Sequence, residues 1–391
     1  MRIGILTYHR SVNYGAVMQA AALAAEISRR LPDAQVDIID YCSRRMDIYY
    51  KLFTLYRGKS SATHILSRIE MYRAFQRGRR KLPLSDGKLI SDDCNRFFRW
   101  LGDKYDVVVS GSDAVWNYGK RGLPNPYFLH GLPEGIRRFS FAASCNGLGI
   151  KRFSDIDAGA ADFLREAFLR FDYLGVRDRQ TEELVRSVCP LAEVHHNCDP
   201  SLMFYDLSGW DRSKLVVKLA KRYRFDPGKP AIGLMLSNLN GDLSRRLTER
   251  IRVAYGGKYQ TVSLYSYKKY ADIPYVSDLT PQEWSVVFGL FDLTVSKYFH
   301  GSMFSLLNRR PVLAVGAETS INNLPNKVED AFGRLGIADW YYSGASSDID
   351  WTEFMDRMDA LLRDRPVQRI EQGIRRELAS VDSFFERIGA L

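Results

Sequence analysis

The stretch LTVSKYFHGSMFSLLNRRPVLAVG, Leu293 to Gly316, reads as strand, turn, helix and second strand. Its apolar lead-in stops at Ser296. His300 follows, then Gly301 and Ser302, and then Met303, Phe304, Leu306 and Leu307 at helical spacing, closed by Arg309 to Pro311. Val312 to Val315 begins a new apolar strand at the proline. This places His300 at the carboxyl end of a strand beside a helix N-terminus. In open α/β sheets free amide N–H groups and the helix dipole converge there and favour anions. A histidine that only caps the helix fits the same spacing.

Outward from this unit the same alternation recurs. Ile3 to Thr7 is an apolar run followed by Asn13-Tyr14-Gly15 and a helical pattern, so Asn13 either caps that helix or binds a hydroxyl, and Gly15 admits a ligand to the backbone. Tyr105 to Ser110 reads as a strand buried on both faces. It ends in Gly111-Ser112-Asp113 with Trp116 beyond, a polar binding loop with an indole for sugar stacking, or an Asx turn capping a short helix. Arg138 to Ser144 is another strand, and Cys145 after it is a small buried residue without an identifiable base. Tyr173 to Arg177 ends in a guanidinium able to grip a carboxylate or phosphate, or to pair with Asp178 or Glu182. His195, His196, Cys198 and Asp199 look superficially like metal ligands, but adjacent strand residues face opposite ways and no metal site is expected.

The pattern from about Ser208 to Pro230 is polar, basic and broken by Gly and Pro, which reads as a domain boundary. The division is therefore residues 1–207 and 208–391, the second with C-terminal helices. Both halves repeat strand and helix. The expected fold is α/β, two doubly wound Rossmann-like domains facing across a cleft, so that Arg177 and His300 can meet around one acidic molecule.

Composition narrows the function classes. The 391 residues are 46% hydrophobic and 26% charged, proportions of a soluble globular protein. No run of about 18 apolar residues is present, and the N-terminus reads as a first strand rather than a secretory signal, so the cytoplasm is the expected compartment. Five scattered cysteines argue against a disulfide framework or a zinc cage. Of the net charge of +10, residues 44–81 supply most, with 11 Lys or Arg against 2 acids. Aromatics interleave them. That segment reads as an insertion facing an anionic membrane or a lipid-linked substrate, or as a solvated helical pair with its aromatics in the core. No nucleic-acid motif is visible.

Six ordered blocks, Asn13 to Leu23, Val107 to Asn117, Phe139 to Gly147, Gly175 to Thr181, Cys198 to Met203 and Ser296 to Val315, resemble the polysaccharide pyruvyl transferase family over about residues 1 to 340. The resemblance implies the two-domain architecture called GT-B, residues 1–207 as the acceptor side and 208–391 as the donor side, phosphoenolpyruvate as donor and a sugar or lipid-linked oligosaccharide as acceptor. It implies His300 as general acid, Arg177 on the donor's carboxylate or phosphate, the Gly301 and Ser302 amides on phosphate, and Lys297 and Lys327 as donor charge. Tyr298 and Phe299 separate Lys297 from His300, one residue more than in the shorter Ser-Arg-x-His-Gly version. For the chemistry so implied, Asp113 is a candidate to orient or deprotonate the acceptor hydroxyl, while Asn13, Ser112, Trp116 and Ser144 are candidates for the acceptor pocket. No metal or cofactor is called for, and the oligomeric state stays open. The competing classes are a nucleotide-sugar glycosyltransferase on the same scaffold and a non-catalytic glycan- or membrane-binding protein, the membrane contact being with the inner face of the plasma membrane.

Overall fold

The computed structural model describes residues 1–53, 62–146, 148, 150–204, 211–236, 241–264, 266–316, 321–344 and 349–391. Residues 54–61 of the basic segment and the expected break at 207/208 therefore lie outside the described residues. Two parallel sheets of six strands organise the chain. The first runs in the order Gln35–Ile38, Arg2–Leu6, Val107–Ser110, Arg137–Ala143, Tyr173–Val176, Val194–His196. The second runs Ile273–Val276, Gln260–Leu264, Ala231–Met235, Leu293–Ser296, Val312–Val315, Tyr341–Tyr342. Their strands are short apolar runs buried on both faces, as parallel sheets covered by crossover helices require. This is the expected doubly wound α/β fold in two lobes.

Three sequence readings are corrected. Ser213–Tyr223 is a helix rather than a polar linker: Leu215 and Leu219 bury one stripe, and the half-buried Lys218 beside it bonds Glu283 at 3.0 Å. The edge strand Ile273–Val276 was missed because Pro274 interrupts it. Proline is tolerated only at such an edge, and its carbonyl accepts the Lys268 N–H there. The terminal helix Asp382–Gly389, grouped with the second half, packs on the first sheet, where the Phe384 ring meets Phe141 at 4.8 Å and Tyr173 at 5.5 Å.

The lobes are joined by packed side chains. Tyr14, opening the helix Tyr14–Arg30, stacks on Trp284 at 5.4 Å. The basic helix Ala62–Arg79 buries Met71 and Phe75, meets Pro281 at Gly78, and pairs Glu70 with Arg222. The aromatic residue Phe75 is thus core.

Candidate active site

In each sheet the strand order reverses at one place, and there the loops splay to leave a crevice. In the first sheet it lies between Arg2–Leu6 and Val107–Ser110, and in the second between Ala231–Met235 and Leu293–Ser296. The turn Gly111 to Asp113 leaves the first, and the segment Lys297 to His300 leaves the second. They face each other.

The helix holding His300 begins earlier than the sequence pattern suggests, spanning Phe299–Leu307 with Tyr298 at its N-cap, so His300 stands in the first turn. Its ring crosses to the other lobe and lies on Gly15 in the first turn of Tyr14–Arg30. A β-carbon at Gly15 would sit 2.0 Å from the imidazole Cγ. The glycine admits the partner lobe's histidine to the backbone; the sequence had assigned that space to a ligand.

Arg177 follows its strand directly, its N–H held by the Ala143 carbonyl at 3.0 Å. The neighbouring strand carries a register shift between Ser140 and Ala143, with Ala142 at φ 48°, a bulge that aims the chain at the site. The guanidinium is 1% exposed. Its Nη1 donates to Asp199 Oδ2 at 3.1 Å, and its Nη2 is 3.8 Å from Asp113 Oδ1. Nε and Nη2 have no hydrogen-bond partner among the described residues. Leaving buried donors unmet costs about 1–3 kcal/mol each, so this edge is built for an acceptor to come.

Asp199 is the hub. Its Oδ1 accepts from the Ser201 amide and hydroxyl, while Oδ2 accepts from Arg177 and from the Gln19 amide and lies 4.0 Å from His300 Nε2. That histidine nitrogen has no hydrogen-bond partner among the described residues. The Phe299 ring lies under both cations, 4.8 Å from the Arg177 Cζ and 6.0 Å from the Lys327 Nζ. Asp113 is 8% exposed at φ 83°, a left-handed backbone that costs a non-glycine residue on the order of 1 kcal/mol and concentrates at functional sites. Gly111 before it must be glycine, since a β-carbon would meet the Phe141 carbonyl at 2.2 Å.

Charge sets the protonation states. Burial pushes the His300 pKa down; Asp199 and Asp113 push it up, Arg177 and Lys327 push it down, and the balance lies below the ordinary imidazole value. Burial raises the Asp113 carboxyl, but Arg177, His300 and Lys327 outweigh it and hold it below the ordinary range. Near neutrality the site therefore holds a neutral imidazole beside an ionised Asp113.

The structure brings together His300, Arg177, Asp113 and Lys327. It overturns two acceptor candidates. Trp116 is fully buried, donates Nε1–H to the Tyr127 carbonyl and packs on Phe168 at 5.0 Å, so its indole is core and unavailable to a sugar. Ser144 is fully buried with its hydroxyl donated to Asp178 at 2.6 Å, where Asp178 caps the helix after Arg177. The Ser302 amide is also corrected: it closes the first helical turn onto the Tyr298 carbonyl at 3.0 Å, while Gly301 packs against Met235 and Ser296. Asn13 caps its helix, Oδ1 accepting from Gly15 and Ala16. Ser112 lies in the turn with a buried, unpartnered hydroxyl, and Lys297 is half-buried where its N–H extends the strand ladder to Met235. Asp199, Gln19 and Phe299 were missed as site residues. The signal for Asp199 was the sequence Asp199-Pro200-Ser201, a carboxylate opening a short 3-10 turn right after a strand.

Comparison with known structures defines the class first. UDP-GlcNAc 2-epimerase from Neisseria meningitidis, solved bound to UDP-GlcNAc, superposes with a TM-score of 0.57 at 8% identity over 100% of both chains. A putative UDP-N-acetylglucosamine 2-epimerase from Listeria monocytogenes gives 0.54 at 10% identity, covering 98% of this chain and 96% of that one. At such identities the likeness shows the fold, which is GT-B. No curated protein sequence matches. The sequence model of the polysaccharide pyruvyl transferase family matches residues 13–318, and the chain belongs to that family. No helix among the described residues is long and apolar enough to cross a membrane.

Proposed function

We propose that the protein moves the enolpyruvyl group of phosphoenolpyruvate onto two hydroxyls of one sugar in a glycan precursor, forming a cyclic pyruvate ketal and releasing phosphate. The observation that carries this reading is the Arg177 edge, two unmet donors on a buried guanidinium beside an unpartnered imidazole from the opposite lobe. A small molecule bearing a carboxylate and a phosphate satisfies Arg177, with Lys327 and the first helical turn at His300 supplying further positive potential.

The donor completes the proton inventory. Its negative charge lifts the depressed His300 pKa, so the imidazole takes up a proton as donor binds. Protonated His300 delivers that proton to the donor's methylene carbon, and the first sugar hydroxyl attacks the resulting oxocarbenium carbon. Asp113 receives the hydroxyl proton. The second hydroxyl then displaces phosphate, its proton leaving with the phosphate, and the proton on Asp113 returns through solvent to the site. Asp199 and Gln19 hold Arg177 in place.

Incubation with phosphoenolpyruvate and a panel of sugars tests the reading: phosphate release with one pyruvate gained per sugar supports it, and turnover confined to a nucleotide sugar overturns it in favour of a glycosyltransferase. The exposed Arg73, Arg77, Arg80 and Lys81 form the basis for a loose contact with an anionic membrane surface at which a lipid-linked acceptor resides. Sedimentation with anionic liposomes that ignores charge reversal at Arg77 and Arg80 removes that part.

A further inference from the structure

A second cavity lies on the first lobe, apart from the buried cluster. Its volume is about 690 Å³, within the usual range for small-molecule sites, and Tyr41, Tyr49, Tyr127, Arg45, Lys120 and Arg121 line it. Between cavity and cluster stands Tyr8, which lines the recess adjoining the cavity. Its hydroxyl donates to the Ala114 carbonyl at 3.0 Å, next to Asp113, and its ring meets Tyr127 edge-on at 4.8 Å. Tyr127 is fixed from behind, its carbonyl accepting from Ser110 and from the Trp116 indole.

The charge in this cavity is unbalanced. Arg121 lies 3.8 Å above the Tyr8 ring and 5.8 Å from that of Tyr127, and among the described residues no carboxylate is within ion-pair distance of it. Arg10, in the adjoining recess, is already neutralised by two 2.6 Å bonds to Asp40. Arg45 and Lys120 add charge at the rim, against Asp92, which accepts the Arg45 amide N–H. Aromatic faces beside a preorganised, unpaired guanidinium suit a sugar ring carrying an anion.

We infer that this cavity is the acceptor subsite and that it takes a phosphorylated saccharide, the phosphate on Arg121 and the sugar against the tyrosines, with the reacting hydroxyls directed past Tyr8 toward Asp113. The assignment rests on the acceptor role proposed above for the first lobe. Its test reads sugar phosphate binding without turnover, so its failure is separate from failure of pyruvyl transfer.

Calorimetric titration with α-D-glucose 1-phosphate, methyl α-D-glucoside and inorganic phosphate reads it. The sugar phosphate is expected to bind the wild-type chain, Arg121→Met to weaken it roughly tenfold or more, and Arg45→Ala by a few fold. His300→Ala is expected to keep it, and phosphoenolpyruvate titrated separately to bind Arg121→Met. Equal binding of the neutral glycoside, or of inorganic phosphate alone, overturns the inference, as does loss of the sugar phosphate in Arg177→Met but not in Arg121→Met. Should Arg121→Met unfold, the exposed Arg45→Ala and Lys120→Ala carry the same comparison.

Discussion

The two sites differ in how they treat a guanidinium. Arg177 is fully buried, pinned by Asp199 and flanked by Asp113, with only one edge left unmet. Arg121 lies half-buried against tyrosine faces, with no acid within ion-pair distance among the described residues. A crowded, internally balanced cluster suits a single small donor and controlled proton movement. An open and unbalanced pocket suits a larger, variable partner that brings its own charge. Under the proposed reading, chemistry belongs to the junction between lobes and recognition to one lobe alone.

Several substitutions break or sharpen this contrast. His300→Ala is expected to lower the rate of phosphate release by ~10²–10⁴ while donor still binds, the span of lost general acid catalysis; undiminished release would remove the role. Trp116→Ala is expected to destabilise the fold by about 3–5 kcal/mol, as a fully buried indole should, with acceptor KM unchanged per folded molecule; a raised KM with full stability would restore it to the sugar site. Arg177→Met is expected to weaken phosphoenolpyruvate binding roughly tenfold or more without altering sugar phosphate binding. Gly15→Ala is expected to lower kcat about tenfold by displacing the imidazole, with thermal stability little changed.

Protonation gives the smallest and sharpest effect. The His300 pKa is depressed, so the unfolded chain binds its proton more readily, and stability from this group is present above the ordinary histidine value and lost as pH falls below it. Asp113 is depressed as well and behaves alike at lower pH, its contribution lost as pH falls through the folded value. At neutral pH donor binding should draw in up to about one proton, seen as a dependence of binding heat on buffer ionisation enthalpy and abolished in His300→Ala. A buffer-independent heat would mean the imidazole stays neutral.

Much of the fold was legible because parallel strands buried on both faces leave continuous apolar runs, as at Val107 to Ser110 and Val312 to Val315. Pro274 hid an edge strand, and the helix Ser213–Tyr223 was mistaken for a linker because only two residues of it are buried. At the site, His300, Arg177 and Asp113 were found from their places at strand ends. Gln19 could not be: it sits mid-helix, and its bond to Asp199 spans 180 residues. Trp116 misled because an indole near a binding loop reads alike whether it faces a ligand or the core. The Tyr8, Tyr127 and Arg121 wall joins segments more than 100 residues apart, which no local pattern reports.

The imidazole resting on Gly15 ties acidity to posture. His300 and Arg177 belong to different halves of the chain, so under the proposed reading parting the halves by a few ångströms would leave an energy-rich donor next to no acid. An ajar enzyme would then be a safe one, unable to squander its donor on water.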